Sequence, residues 1–301
     1  MMATTTLDQP VKAPTFRQVS PARRLKNQIA TVVMWLSFLI ALIPLGWVLI
    51  TVIQKGAPAL MRSGWFTKSQ KGILPNQFGG GVYHAMYGTI VQSAIAAVIA
   101  IPLGVLAAIY LIEYGRGWLA KTTTFMVDIL AGVPSIVAAL FIFALWISTL
   151  GMQQSAIAVS FALVLLMLPV VVRSTEEMLK LVPDDLREAS YALGVPKWKT
   201  IVRIVVPTAA PGMISGMLLA IARVMGETAP VLVLVGYSKA INTDITSGNM
   251  ASLPLMIYQE LTNPSPAGVE RVWGAALTLI LIIAILYLAA AAANKFLTRN
   301  R

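Results

Sequence analysis

Apolar residues along this chain of 301 residues collect into six long runs, at 30–53, 85–111, 124–148, 155–173, 207–235 and 273–293. A helix needs ~20 residues to cross the hydrocarbon layer of a bilayer, so each run is long enough for one crossing. The runs are continuous rather than alternating, which fits spanning helices and not the strands of a membrane barrel. The pattern predicts an all-α, polytopic membrane protein with six transmembrane helices.

The polar intervals set the organisation. Residues 1–29 are basic, hold Pro10, Pro14 and Pro21, and lack apolar periodicity, so they are expected to form a flexible cytoplasmic tail. The run that follows is too long for the core of a cleaved signal and reads as an uncleaved anchor. Residues 30–84 then hold the first span and an outer loop with Gly79-Gly80-Gly81. Residues 85–293 hold the other five spans, and 294–301 form a C-terminal tail. With the N-terminus inside, sixteen Lys and Arg residues fall in inner segments and six in outer ones. That asymmetry places both termini in the cytoplasm.

Composition strengthens this picture. The chain is 57% hydrophobic and 12% charged, with mean hydropathy +0.78, outside the range of soluble domains. The formal net charge of +11 is accounted for by topology and implies a lipid bilayer rather than nucleic acid as partner. No cysteine is present, which excludes disulfides, thiolate nucleophiles and zinc–thiolate sites. The single histidine, His84, has no carboxylate cluster near it and no metal is expected. With Tyr83 and Tyr87 it reads as part of an outer interfacial belt. Glu113 and Tyr114 read as interfacial at the inner end of the second span. Asp128, near the inner end of the third, is expected to pair with Lys121 in a structural role.

The candidate chemistry lies in the fifth run. Arg223 and Glu227 are spaced i, i+4 and can meet on one helix face. A central charge costs roughly 2.5–3.5 kcal/mol on insertion scales, so two such residues point to polar cargo. A static ion pair is the competing reading. Pro134 in the third run, and Gly226 and Pro230 in the fifth, are expected helix breaks, tolerated at membrane depth where they line a cavity. Pro207, Pro211, Gly212 and Gly216 add to the irregularity of the fifth run. The outer stretch Leu253-Pro254-Leu255-Met256-Ile257-Tyr258 is an apolar patch in a polar loop. Contact with an external protein, an external gate and an interfacial helix are its open readings.

The stretch Val182-Pro183-Asp184-Asp185-Leu186-Arg187-Glu188-Ala189-Ser190-Tyr191-Ala192-Leu193-Gly194 is followed after nine residues by Ile204-Val205-Val206-Pro207. Pro183 and the two aspartates favour a helix start and Gly194 a helix stop. The stretch resembles the coupling loop of ABC importer permeases: Glu-Ala-Ala, three residues, Gly, nine residues, Ile, one residue, Leu-Pro. Ser190 and Val206 depart mildly from it. Arg173-Ser174-Thr175-Glu176-Glu177-Met178-Leu179, Gly132-Val133-Pro134-Ser135-Ile136-Val137, Gly81 with Gly88-Thr89, Ala222 to Pro230 and the Leu253–Tyr258 patch are similar to the phosphate-permease branch of that family.

The resemblance implies a type I ABC importer permease fold, with loop 183–199 docking on a cytoplasmic ATPase through Arg187, Glu188, Ala189 and Gly194. It implies a partner permease subunit, an ATPase dimer and an external phosphate-binding protein. Arg223 and Glu227 would then serve substrate translocation. No Gly-x-x-x-x-Gly-Lys-Ser/Thr loop occurs, so the chain is expected to hold no cofactor and perform no catalysis, with ATP and magnesium bound by the ATPase. The function implied is translocation of inorganic phosphate across the cytoplasmic membrane. The runners-up are another oxyanion, sulfate or molybdate, and the paired permease subunit of the same importer.

Overall fold

The computed structural model describes residues 20–299, in two units, one ending at Thr51 and the other beginning at Val52. Helix α1 covers Pro21–Leu60. Residues 21–29 are therefore helical, where a flexible tail was expected. Pro21 takes the first helical position, where its fixed φ suits the helix and its missing N–H costs nothing. Arg23, Arg24, Leu25, Lys26 and Gln28 are good helix formers that extend the apolar run backwards. Residues 1–19 of the expected tail, and 300–301 of the C-terminal one, lie outside the described residues.

In the second unit, α2 covers Tyr83–Ile109 and continues as a π-helical turn at Tyr110–Tyr114. Helix α3 (Gly117–Gly132) and α4 (Ser135–Ile142) follow, with a π-helical end at Phe143–Thr149. Helix α5 is Ala156–Lys180, and the connection beyond it holds α6 (Asp184–Ala192) and α7 (Lys197–Thr200). A third π-helical turn, Ile201–Val205, leads into α8 (Val206–Met225). Then come α9 (Ala229–Leu234), α10 (Leu253–Glu260) and α11 (Pro266–Arg299).

Among the described residues, five helices are long and apolar enough to cross a membrane, and the bent pair α3–α4 makes the sixth. Two expected spans are corrected. The run 124–148 is not straight, because the chain turns by 106° between α3 and α4. Pro134 keeps the residue before it out of helical geometry, and Val133 is extended at ψ 124°. The run 207–235 is not one helix either. The helix begins at Lys197, runs to Met225 and is capped by Gly226, and Pro230 sits in the first turn of the separate α9. Pro207 and Pro211 leave α8 unbroken, as Pro102 leaves α2 and Pro169 leaves α5.

The core forms around α2. Gly88, Gln92, Ala96, Ala100, Gly104 and Ala108 recur every four residues along it, and all are buried. Lipid gives apolar helices no hydrophobic reason to associate, so small residues that let backbones approach are what hold such a seam together. A Cβ on Gly104 would come within 2.7 Å of Val171 Cγ1 on α5. Twelve residues earlier on α2, Ser160 Oγ of α5 donates to the Gln92 carbonyl at 3.1 Å. The pairs 92/160 and 104/171 show that α2 and α5 run parallel, side by side. At the far end of the same stripe, a Cβ on Gly88 would overlap the Ala251 carbonyl. There Thr89 Oγ1 accepts from the Leu253 amide at 2.7 Å, and Gln92 Nε2 donates to the Met250 carbonyl at 3.1 Å.

Those bonds draw α10 inward. Leu253, Leu255 and Met256 are fully buried, so most of the apolar patch at Leu253–Tyr258 is core rather than a surface for another protein. Tyr258 alone of the six is exposed.

Replacing Gly104 by Leu overfills this seam. Overpacking costs about 1–3 kcal/mol, whereas Val98→Leu, at an exposed position of the same helix, should stay within about 0.5 kcal/mol. Thermal unfolding of the detergent-solubilised protein checks this: G104L should melt lower and V98L should not.

Candidate functional site

Helices α5 and α8 pack antiparallel. A Cβ on Gly216 would come within 2.5 Å of Ser174 Oγ, and one on Gly212 would overlap the Met178 sulfur. Close approach at these two glycines sets the register of the pair. Beside them, a cleft of about 220 Å³ is lined by Leu130, Ala131 and Val133 at the α3 break, Leu166, Pro169, Val170 and Arg173 of α5, and Arg223 of α8.

Arg223 is exposed, and among the described residues its side chain has no ion pair or hydrogen bond. The expected meeting with Glu227 does not occur. An i, i+4 contact needs an unbroken helix, and α8 ends at Met225. The amides of Gly226 and Glu227 turn back to the carbonyls of Arg223 and Val224, at 3.1 and 3.2 Å. Glu227 is left half-buried in the link to α9. The predicted breaks at Pro134, Gly226 and Pro230 all lie where helices part.

Asp128 is also placed differently from expectation. Its partner is Arg173, whose Nη2 donates to it and whose Nη1 donates to Glu176 at 2.6 Å. Lys121 lies seven residues from Asp128 on α3, ~10 Å along the axis, beyond contact distance. In the sequence Arg173 stands only as a basic residue at the end of a span and as part of the family's pattern. Its place beside Arg223 follows from the fold of α5 against α8.

Loop 183–199 forms the second candidate surface. Helix α6 starts with Asp184 and Asp185 and ends at Gly194, whose φ of +73° is the left-handed stop that glycine adopts freely. Glu188, Ala189 and Gly194 are exposed, as are Leu186, Tyr191, Leu193 and Trp198. Arg187 points the opposite way, with 13% of its side chain exposed. It donates to Glu113 at 3.1 Å, to Asp184 at 3.0 Å, and to the carbonyls of Val182 and Leu179 at 2.7 and 3.0 Å. These bonds attach the loop to the end of α2 and α5.

Glu113, expected at the interface, is instead buried under Arg187. Lys197 donates to its carbonyl oxygen and lies 4.8 Å from the Tyr114 ring centroid. Ser190, where the family pattern has Ala, meets Thr200 across the loop at 2.8 Å, with both residues buried. The departure therefore has a use: the hydroxyl pair closes the loop on itself.

At the opposite end of the bundle, His84 is buried rather than interfacial. Its Nε2 lies 3.3 Å from the Tyr237 hydroxyl, which donates to Gln70 Oε1 at 2.9 Å. Burial, and next the charge of Glu260, push the Tyr237 phenol above its usual pKa, against the pull of Arg271. Arg271 itself is buried with Glu260 at 3.4 Å and donates to the carbonyls of Leu74, Pro75 and Gln77. It fastens the segment before α2 to α10 and α11. Among the described residues no group of three or more His, Cys, Asp or Glu could hold a metal.

The chain matches the family described as binding-protein-dependent transport system inner membrane component over residues 100–300. It is 66% identical over 300 residues to the phosphate transport system permease protein PstA 1 of Mycobacterium tuberculosis, covering 100% of this chain and 97% of that protein. It is 65% identical over 295 residues to PstA of Mycobacterium leprae, covering 98% and 97%. With PstA of Yersinia pestis it shares 41% over 265 residues, 88% of each chain. Among solved structures it resembles a bacterial alginate ABC transporter in complex with a periplasmic protein, with TM-score 0.62, 14% identity, and 89% of this chain and 94% of that one covered. It also resembles inward-facing MetNI, a methionine ABC transporter, with TM-score 0.56, 20% identity, and 72% and 94% covered. At these identities the two structures show the fold alone, a type I importer permease.

The Glu113–Arg187 pair is nearly dry, and removing one partner of a buried pair strands the other at a cost of about 3 kcal/mol. Arg187→Leu should therefore lower the melting temperature of the solubilised protein, while Glu188→Gln, one residue away and exposed, should leave it unchanged.

Proposed function

The chain belongs to the binding-protein-dependent transport system inner membrane components, and we propose that it is the permease subunit that carries inorganic phosphate in an ATP-driven importer. As a transport component it does no covalent chemistry. The substrate assignment rests on similarity along the whole chain to proteins named phosphate transport permeases. The mechanism rests on one observation: Arg223, a guanidinium near the end of a spanning helix, lines a cleft and has no partner among the described residues.

A guanidinium offers a planar fork of donors that matches two oxygens of phosphate. Arg223 gives the anion a stop within a layer it would not otherwise enter. The contact is transient, since a permeation site must release what it binds. Glu227, parted from Arg223 by the break at Gly226, is left to meet an arginine of a partner permease. The breaks at Pro134, Gly226 and Pro230 leave non-helical backbone beside the route, where it is solvated by the pathway rather than by lipid.

Loop 183–199 is the coupling element. Its exposed surface, with Glu188, Ala189, Gly194, Leu193 and Trp198, suits a groove on an ATPase dimer of the PstB type. ATP and magnesium are bound there, in trans. A PstC-like permease completes the pathway, and a PstS-like external protein delivers phosphate. Both termini lie in the cytoplasm. ATP binding closes the ATPase dimer, moves the loop, and opens the permease pair outward.

The test is ATP-dependent uptake of labelled phosphate by vesicles holding the assembled complex, with sulfate as competitor. Uptake should resist sulfate, and Arg223→Gln should lower it roughly 10- to 100-fold at equal assembly, the loss expected for one or two charged hydrogen bonds. Normal uptake by the Arg223→Gln complex would make Arg223 structural, and strong competition by sulfate would reassign the substrate.

A further inference from the structure

Arg173 and Arg223 line one cleft at two levels. The contacts of Gly216 with Ser174 and of Gly212 with Met178 set the register of α5 against α8. In that register Arg173 lies level with Met217, and Arg223 lies level with Met167. The two are six residues apart along the bundle, ~9 Å at the helical rise. Arg173 is the one nearer loop 183–199, and Leu166, Pro169 and Val170 wall the space between them.

The two arginines differ in what holds them. Among the described residues Arg223 has no partner, and Arg173 has two carboxylates of unlike character. Glu176 is on the same helix, one turn away, with 5% of its side chain exposed, so it is a fixed counter-charge. Asp128 comes from α3, with 59% of its side chain exposed, so it can leave. It also sits four residues before the end of α3, where the chain turns by 106°. A carboxylate exposed on an apolar helix is best served by water or protein beside it rather than lipid. The cleft supplies that setting.

A carboxylate and one edge of a phosphate group present the same pair of oxygens to a guanidinium fork. They compete for one place. Resting on the phosphate reading above, we propose that Arg173 is a second oxyanion site on the route, and that Asp128 displaces the anion from it. Phosphate passes from Arg223 to Arg173 as Asp128 swings aside. When Asp128 returns, it takes the fork back and adds a negative charge beside the departing anion. Release toward loop 183–199 becomes hard to reverse.

The test uses the complete importer in vesicles, with ATP-driven uptake of labelled phosphate measured against unlabelled phosphate on the receiving side. Asp128→Asn should slow turnover and leave the KM for supplied phosphate unchanged. It should also make receiving-side phosphate inhibitory at about tenfold lower concentration, because a neutral amide competes poorly for the fork. Asp128→Glu should restore both properties. The same sensitivity to receiving-side phosphate in Asp128→Asn and the unmodified complex overturns the proposal. So does loss of assembly in both Asp128 variants, which would mark the pair as structural. If the unmodified complex imports no phosphate, the underlying reading fails first, and this proposal with it.

Discussion

Close approach of α2 and α5 is the constraint on which the rest of this molecule depends. The stripe from Gly88 to Ala108 has no side chain larger than alanine except Gln92, whose amide is spent on the Met250 carbonyl. Dispersion between near-touching backbones replaces the hydrophobic drive that lipid cannot provide. With α5 fixed against α2, the glycines of α8 set the next register, and that register brings Arg223 into the cleft with Arg173. A bulkier stripe would move α5, and both arginines would lose their common cleft. At the opposite end the same stripe seats Ala251 against Gly88, so the buried α10 is held by the same helix.

Two helix breaks lie beside residues that line that cleft. Four prolines, Pro102, Pro169, Pro207 and Pro211, lie in helices that continue through them. Each lacks the amide that would complete one ladder bond. Two positions do break. Val133-Pro134 bends the third span, and its Val133 lines the cleft. Gly226 ends α8 three residues after Arg223. Both breaks thus flank the space between the two guanidiniums.

What the sequence made legible follows from range. Run lengths gave away the spans, and the local chemistry of Pro183, Asp184 and Gly194 gave away α6, because these signals act within a turn or two. The Arg223–Glu227 pairing was misread for the same reason: the spacing rule presumes a continuous helix, and Gly226 interrupts it. The remaining ties join distant parts of the chain. Arg173 meets Asp128 across 45 residues and Arg187 meets Glu113 across 74. Arg271 reaches the Pro75 carbonyl across 196. No local spacing encodes them. The burial of His84 was hidden likewise, since Tyr237 and Gln70 close over it from segments far away in sequence. The apolar patch at Leu253–Tyr258 was visible as a patch, but its direction depended on Thr89 and Gln92.

The attachment of loop 183–199 ties these features together. Arg187 and Lys197 both hold Glu113, one by its carboxylate and one by its carbonyl oxygen. Glu113 ends the extended α2, and α3 begins four residues later at Gly117. One hinge therefore serves two helices with opposite duties. α2 is locked to α5, which carries Arg173, while α3 carries Asp128 and makes far fewer close contacts. In the proposed coupling, a displacement of the loop by a docked ATPase would pull on Glu113. The seam resists along α2 and yields toward α3, because Gly115 and the left-handed Gly117 (φ +76°) sit in that link. The motion that would follow is a shift of Asp128 relative to Arg173, the shift that the proposed release of an anion from Arg173 requires. Coupling in this reading needs no long pathway of side chains. It needs one stiff seam, one soft link beside it, and a carboxylate on the soft side.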